Sequence, residues 1–267
     1  MKQMKRTRTL RSGTAPAPQA AERATAARRR KSAAVFRQDW DSYGRIVANN
    51  YLHHREAYGV LADVLRGEHR PFRFLDIACG DASASARALA GTNVSAYHGI
   101  DLSEPGLARA AATLASALTC PVTLTHGDFV AALADGTITA DIAWIGLSLH
   151  HLRGPGKRDL MRHIRRSVGG RGRLLVYENA SPVDEGREAW LERWDAQRPD
   201  WADFSDSEWE SINRHVHACD YPETDAAWLD LGRAAGFAEG RCLYASPNEL
   251  FRLYAFGPRG RAVRARP

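Results

Sequence analysis

Following Pro71, the chain reads Phe72-Arg73-Phe74-Leu75-Asp76-Ile77-Ala78-Cys79-Gly80-Asp81. The apolar run is too short for a helix, opens after a proline and closes on a glycine, which predicts a buried strand over Phe72 to Ala78 running into a tight turn. Beyond it the period alternates. The spacing predicts a helix from Ser83 to Leu89, a strand from Ser95 to Asp101, a helix from Glu104 to Leu118 and a strand from Val122 to His126. A strand from Ala140 to Leu147, a helix from Lys157 to Val168 and a strand from Arg173 to Glu178 follow. Strands alternating with helices over about a hundred residues predict an α/β fold with a doubly wound, mostly parallel sheet.

In such a sheet, ligands bind beyond the carboxyl ends of the strands, and the polar residues of this sequence collect there. Asp76 and Gly80 lie at or just past the end of the first strand, Asp101 closes the second, Asp128 follows the third, and Ser148, His150 and His151 follow the fourth. Acids closing three successive apolar runs describe a polar rim around one crevice.

Those residues resemble the class I S-adenosylmethionine-dependent methyltransferases. Leu75-Asp76-Ile77-Ala78-Cys79-Gly80-Asp81 is similar to the family's first motif, a strand and turn under the methionine part of the cofactor. Gly99-Ile100-Asp101-Leu102-Ser103 resembles the second-strand motif, whose acid accepts hydrogen bonds from both ribose hydroxyls. His126-Gly127-Asp128-Phe129 resembles the segment that meets the adenine amino group and ring. Asp141 to Trp144 through Leu149-His150-His151-Leu152 resembles the fourth strand and its exit, and Gly169-Gly170-Arg171-Gly172 the turn into the fifth. Tyr51 to Tyr58 resembles the helical lid over the cofactor in small-molecule members. The resemblance implies a Rossmann-like fold, S-adenosyl-L-methionine as co-substrate, and Tyr51, Asp76, Ala78, Gly80, Asp101, Leu102, Asp128 and Phe129 as its binding residues. The chemistry agrees, since an ionised Asp offers two acceptor oxygens to a vicinal diol. Asp76-x-Ala78-x-Gly80 is also thinner in glycine than a pyrophosphate-binding loop, which favours a cofactor without phosphates. Alanine at position 78 either keeps ordinary dihedrals or accepts strain of order 1 kcal/mol.

Plainer readings stand beside these. Asp101 equally suits the cap of the helix after it, and Asp128 suits a simple loop. Cys79 reads as a small residue of the turn. His53-His54, His150-His151 and His215-x-His217 come with no familiar metal-ligand motif, so no metal is expected. His151, then His150, then Tyr177 are the candidates for a proton acceptor or orienting group, against the alternative of structural histidines.

The rest of the chain frames this unit. Val35 to Arg66 has a helical repeat, predicting one or two helices as an N-terminal cap over residues 35–70. Residues 71–258 form the domain, with a helical insertion at about 184–218. Asn179 to Gly236 holds Trp190, Trp194, Trp201, Trp209 and Trp228, read as a packed helical layer or as aromatic walls of a substrate lid. Tyr221 to Thr224 reads as a helix start, and Arg241 to Ala245 with Leu250 to Phe256 as a C-terminal antiparallel hairpin.

Net charge is +6, but residues 1–31 carry +9 and residues 259–267 carry +4, leaving an acidic body of −7. The Arg-rich, acid-poor segment 1–34 reads as a disordered basic tail or, less well, a transit peptide. Its charge keeps open an RNA-associated or tRNA-modifying enzyme, though no basic-aromatic platform accompanies it. No run approaches ~20 apolar residues, so no membrane span is expected. Cys79, Cys120, Cys219 and Cys242 stand singly, which suggests a reducing, cytoplasmic setting. A small-molecule methyl acceptor is the favoured partner; the remaining alternative is a non-catalytic cofactor-binding module.

Overall fold

The computed structural model describes residues 40–260. The basic tails at 1–34 and, apart from its first two residues, 259–267 lie outside the described residues.

Two helices come first, α1 (Trp40–Ala48) and α2 (His54–Arg66), and then the predicted alternation begins. It runs β1 (Phe72–Ile77), α3 (Ser83–Leu89), β2 (Val94–Asp101), α4 (Glu104–Ala117), β3 (Val122–His126), α5 (Phe129–Ala134), β4 (Ile142–Gly146), α6 (Gly154–Val168) and β5 (Arg173–Ser181). The insertion supplies α7 (Arg187–Asp195) and α8 (Asp206–Cys219). The chain closes with β6 (Glu223–Thr224), α9 (Asp225–Ala234), β7 (Glu239–Ala245) and β8 (Phe251–Gly257).

The main sheet has the order β3-β2-β1-β4-β5-β8-β7, with β6 paired to β5. Strands β1 to β5 run parallel to one another, while β8 runs antiparallel to both β5 and β7. Order reverses between β1 and β4, which makes their carboxyl ends the switch point where a crevice opens.

Alternation along each strand divides the core. Phe74, Tyr97, Trp144, Leu175 and Tyr177 face one side, packed with Leu61 and Leu65 of α2, Leu89 of α3 and Leu114 of α4. Leu75, Ile77, Ile100, Ile145 and Val176 face the other, against Leu133 of α5, Leu160 and Ile164 of α6, and Trp228 of α9. With both faces covered, β4 and β5 carry near-continuous apolar runs, as parallel strands require.

The glycine turn before β5 has a steric cause. Gly169 adopts φ +62, and a Cβ on Gly172 would stand 2.2 Å from the Val168 carbonyl oxygen. Four short elements went unpredicted: α5, the 3-10 turns Leu149–His151 and Arg198–Asp200, and the strand β6 at the start of α9. The insertion is helical as expected, but Trp228 does not join its tryptophans. It sits on the opposite face of the sheet, its Nε1 donating to the Asn179 carbonyl at 3.1 Å. No helix of the described residues is long and apolar enough to cross a membrane.

Candidate functional site

The crevice at the switch point is a cavity of about 220 Å³. Its floor is two turns, at the ends of β1 and β4, in which non-glycine residues take left-handed backbone conformations: Ala78 at φ 59 and Leu147 at φ 48. Such residues store on the order of 1 kcal/mol or more each and persist only where their surroundings hold them. Here Cys79 N donates to Ile100 O at 3.1 Å, and Leu147 N donates to Tyr177 O at 2.7 Å. Of the two options for Ala78, the turn takes the strained one.

Asp101 closes β2 and ties this floor together. Its Oδ2 accepts the Gly80 N–H at 2.9 Å and its Oδ1 the Ser103 N–H at 2.7 Å. The cap of α4 is Ser103, whose Oγ accepts from Gly106 N at 3.1 Å, so Asp101 is not the capping residue. Asp128 is both a lining residue and a helix cap, its Oδ1 accepting from Val130 N at 2.8 Å at the start of α5. Phe129 beside it is buried and lines the cavity.

Across the cavity, the turn after β4 carries the two histidines. Fully buried Glu178 of β5 organises it: Oε1 accepts from Ser148 N at 2.6 Å and Leu149 N at 2.5 Å, and Oε2 meets His150 Nδ1 at 2.7 Å. Asp220, just past α8, brings a second carboxylate. Its Oδ2 accepts from Asn179 Nδ2 at 2.9 Å, which aims Oδ1 at the histidines. That oxygen lies 3.7 Å from His150 Nε2 and 3.5 Å from His151 Nδ1, with hydrogen-bond geometry to neither. Burial would lower the pKa of His150, but Asp220 and Glu178 outweigh it and hold the imidazole above its ordinary value. Burial would likewise raise Asp220, yet His150, His151 and His215 draw it down to about 2. His215 of α8 stands edge-on to His151 at 5.5 Å and is pushed down to about 4, mainly by burial.

The remaining wall is aromatic. Trp190 and Trp194 stack at 6.0 Å, and Trp194 stacks on Trp209 at 5.5 Å. Trp190, Trp194 and Trp201 are buried in the core cluster and also line the cavity, so the packed layer and the aromatic wall are one structure. Tyr43 and Ile46 of α1 and Leu52 close the top.

Eight of the residues picked out in the sequence meet at this cavity: Ala78, Gly80, Asp101, Leu102, Asp128, Phe129, His150 and His151. Two do not. Asp76 is buried beneath the turn, its Oδ2 accepting from Tyr97 Oη at 2.6 Å, because it points to the face of β1 that packs under helices. Tyr51 stacks on Trp201 at 4.5 Å, leaving its neighbour Leu52 to face inward. Tyr177 is also unsuited to accept a proton, since its hydroxyl donates to the Leu52 carbonyl at 2.7 Å. Glu178 and Asp220 were not foreseen, and His215, noted only in His215-x-His217, was given no place in the site. Glu178 was legible only as the last residue of a strand, and Asp220 lies far along the chain from the histidines it faces.

A crevice at the switch point of a doubly wound sheet, with an acid closing β2 and another following β3, defines a Rossmann-like fold with its ligand crevice in the usual place. Residues 75–174, the stretch that holds the motifs resembling the class I S-adenosylmethionine-dependent methyltransferases, match the family described as methyltransferase domain. No curated protein sequence matches the chain. Among solved structures it is similar to an O-methyltransferase family protein from Burkholderia thailandensis, at 17% identity over 85% of this chain and 60% of that one, with a TM-score of 0.58. It is also similar to the mitomycin 7-O-methyltransferase MmcR, at 17% identity over 83% and 59%, TM-score 0.52. The pyocyanin biosynthetic protein PhzM matches at 21% identity over 74% and 54%, TM-score 0.52. This chain therefore spans just over half the length of these structures, and at such identities the likeness concerns the fold.

Proposed function

We propose that the protein transfers the methyl group of S-adenosylmethionine to a small-molecule acceptor held between the histidine turn and the tryptophan wall. The observation that carries this reading is that Asp101 and Asp128, from the ends of adjacent strands, line the same cavity as His150 and His151. The residues fit the co-substrate. Asp101 suits the ribose diol, Asp128 and Phe129 suit the adenine, and the strained turn at Ala78 to Gly80 brings backbone close to the methionine part. Bound there, the co-substrate supplies an electrophilic sulfonium methyl.

The chain's own task is then positioning and exclusion of water. Trp190, Trp194 and Trp201 give flat apolar surface against which a ring-bearing acceptor would be held. His151, the more open of the two histidines, faces the acceptor side and is placed to orient a hydroxyl or take its proton. Two of the similar structures bear names that specify O-methylation, which favours an oxygen acceptor.

Native mass spectrometry of the purified protein should find S-adenosylmethionine or its demethylated product bound. Asp101→Ala should weaken co-substrate binding by roughly 1 to 3 kcal/mol, because two hydroxyl donors lose a charged acceptor. Unchanged affinity by calorimetry, in a variant shown by its melting curve to be folded, would remove the ribose assignment.

A further inference from the structure

His150, His151 and Asp220 place three ligand atoms within 4.8 Å of one another on the cavity wall. We propose that they form a binding site for a divalent first-row transition metal, open on its fourth side to the acceptor end of the cavity. The proposal deepens the methyl-transfer reading and rests on it for the identity of what occupies that open side.

Four observations carry it. First, the spacing fits a cation better than direct bonds. Asp220 Oδ1 is 3.5 and 3.7 Å from the two histidine nitrogens, too far for good hydrogen bonds. Ligands at 2.0–2.1 Å around a tetrahedral metal stand about 3.3–3.4 Å apart, only slightly closer. Second, Asp220 Oδ1 and His151 Nδ1 are both buried without a hydrogen-bond partner, and a buried polar atom left so costs on the order of 1 to 3 kcal/mol. Third, the outer shell is already built. Glu178 Oε2 holds His150 Nδ1 at 2.7 Å, which fixes the proton there and turns the Nε2 lone pair toward Asp220. Asn179 performs the same service for Asp220 through its other oxygen. Fourth, all three residues line the cavity, so a cation between them would sit in its wall.

Two imidazoles and one carboxylate suit zinc, iron or cobalt; magnesium and calcium prefer sets made of oxygen alone. Three protein ligands with one open position are the pattern of a site that acts on what it binds. A cation there would lower the pKa of an acceptor hydroxyl brought to the open position, with the proton passing to solvent.

The test is a titration of chelator-treated, untagged full-length protein with Co2+, read by visible absorption and calorimetry. One equivalent should bind, with the intense absorption of a four-coordinate site. Asp220→Asn and His151→Ala should each weaken uptake at least 100-fold, and Glu178→Gln by 10- to 100-fold through loss of the orienting carboxylate. Absence of Co2+ uptake by the wild-type protein overturns the site regardless of how the variants fold. Uptake unchanged in both Asp220→Asn and His151→Ala overturns it as well. S-adenosylmethionine binding to the same chelated protein is measured separately: its loss would count against methyl transfer, and its presence with no Co2+ uptake against the metal alone.

Discussion

Asp76 shows how a carboxylate can stand in a binding motif and yet lie outside the cavity. Burial raises its pKa to about 6; hydrogen bonds from Ser85 and Tyr97 hold it down and the charge of Asp101 adds to the rise. A carboxyl raised in the folded state contributes stability that is full below its unfolded pKa, 3.8, and is lost as pH rises through about 6. Between pH 4 and pH 6 to 7 the wild-type protein should therefore lose on the order of 3 kcal/mol relative to Asp76→Asn, which has no proton to give up. Urea melts of both proteins across that range would show it; parallel curves would mean that Asp76 is not strained by its burial. At Ala78 the expectation is smaller. Ala78→Gly relieves a left-handed alanine and should raise stability by about 0.5 to 1 kcal/mol, the lower part of the range allowing for a looser unfolded chain. A clear drop in the urea midpoint would contradict this.

At the scale of elements, the insertion is where structure and site are inseparable. Trp190 is fully buried, stacks on Trp194 and donates its Nε1 to the Leu250 carbonyl at 3.0 Å. Trp190→Ala should cost about 3 to 5 kcal/mol of stability, with a raised KM for the acceptor and co-substrate affinity nearly unchanged. A variant as stable as the wild type would show that the layer repacks around the gap. Most of the central elements were legible because apolar period alone distinguishes them: β3, α3 and the end of α6 lie where the spacing puts them. The start of α6 was not, because Gly154-Pro155-Gly156 reads as a turn, although proline is at home in the first turn of a helix. The six-residue α5 was missed for want of two full turns of pattern. Of the site, strand-end acids could be read because each closes an apolar run. Asp220 and His215 could not, since only the fold of the insertion brings α8 against the turn after β4.

For the whole molecule, an acidic body stands between two basic arms. A protein starting at Ala33 should keep its co-substrate affinity but lose most salt-sensitive binding to RNA, since ten of the positive charges lie before it. Filter binding of the two forms at several salt concentrations measures this. Salt-sensitive RNA binding retained by the shortened form would favour an RNA acceptor over a small one.

Arg45 has a bearing on when the site opens. From α1 it reaches across to the insertion, donating to the Asp203 carbonyl at 2.9 Å, pairing with Glu208 and lying over the Phe204 ring at 4.3 Å. The segment next to α1 adds the stacking of Tyr51 on Trp201. The two parts of the chain that roof the cavity are thus fastened to each other by apolar packing within and, at the solvent edge, by the Arg45–Glu208 pair, which salt screens. Such a fastening sets a dwell time. Product should leave faster, and turnover become less limited by release, in Arg45→Ala or at raised ionic strength, while the histidine turn and the strand-end acids stay in place; the protein would then behave as a gate whose latch is tuned by the surrounding medium.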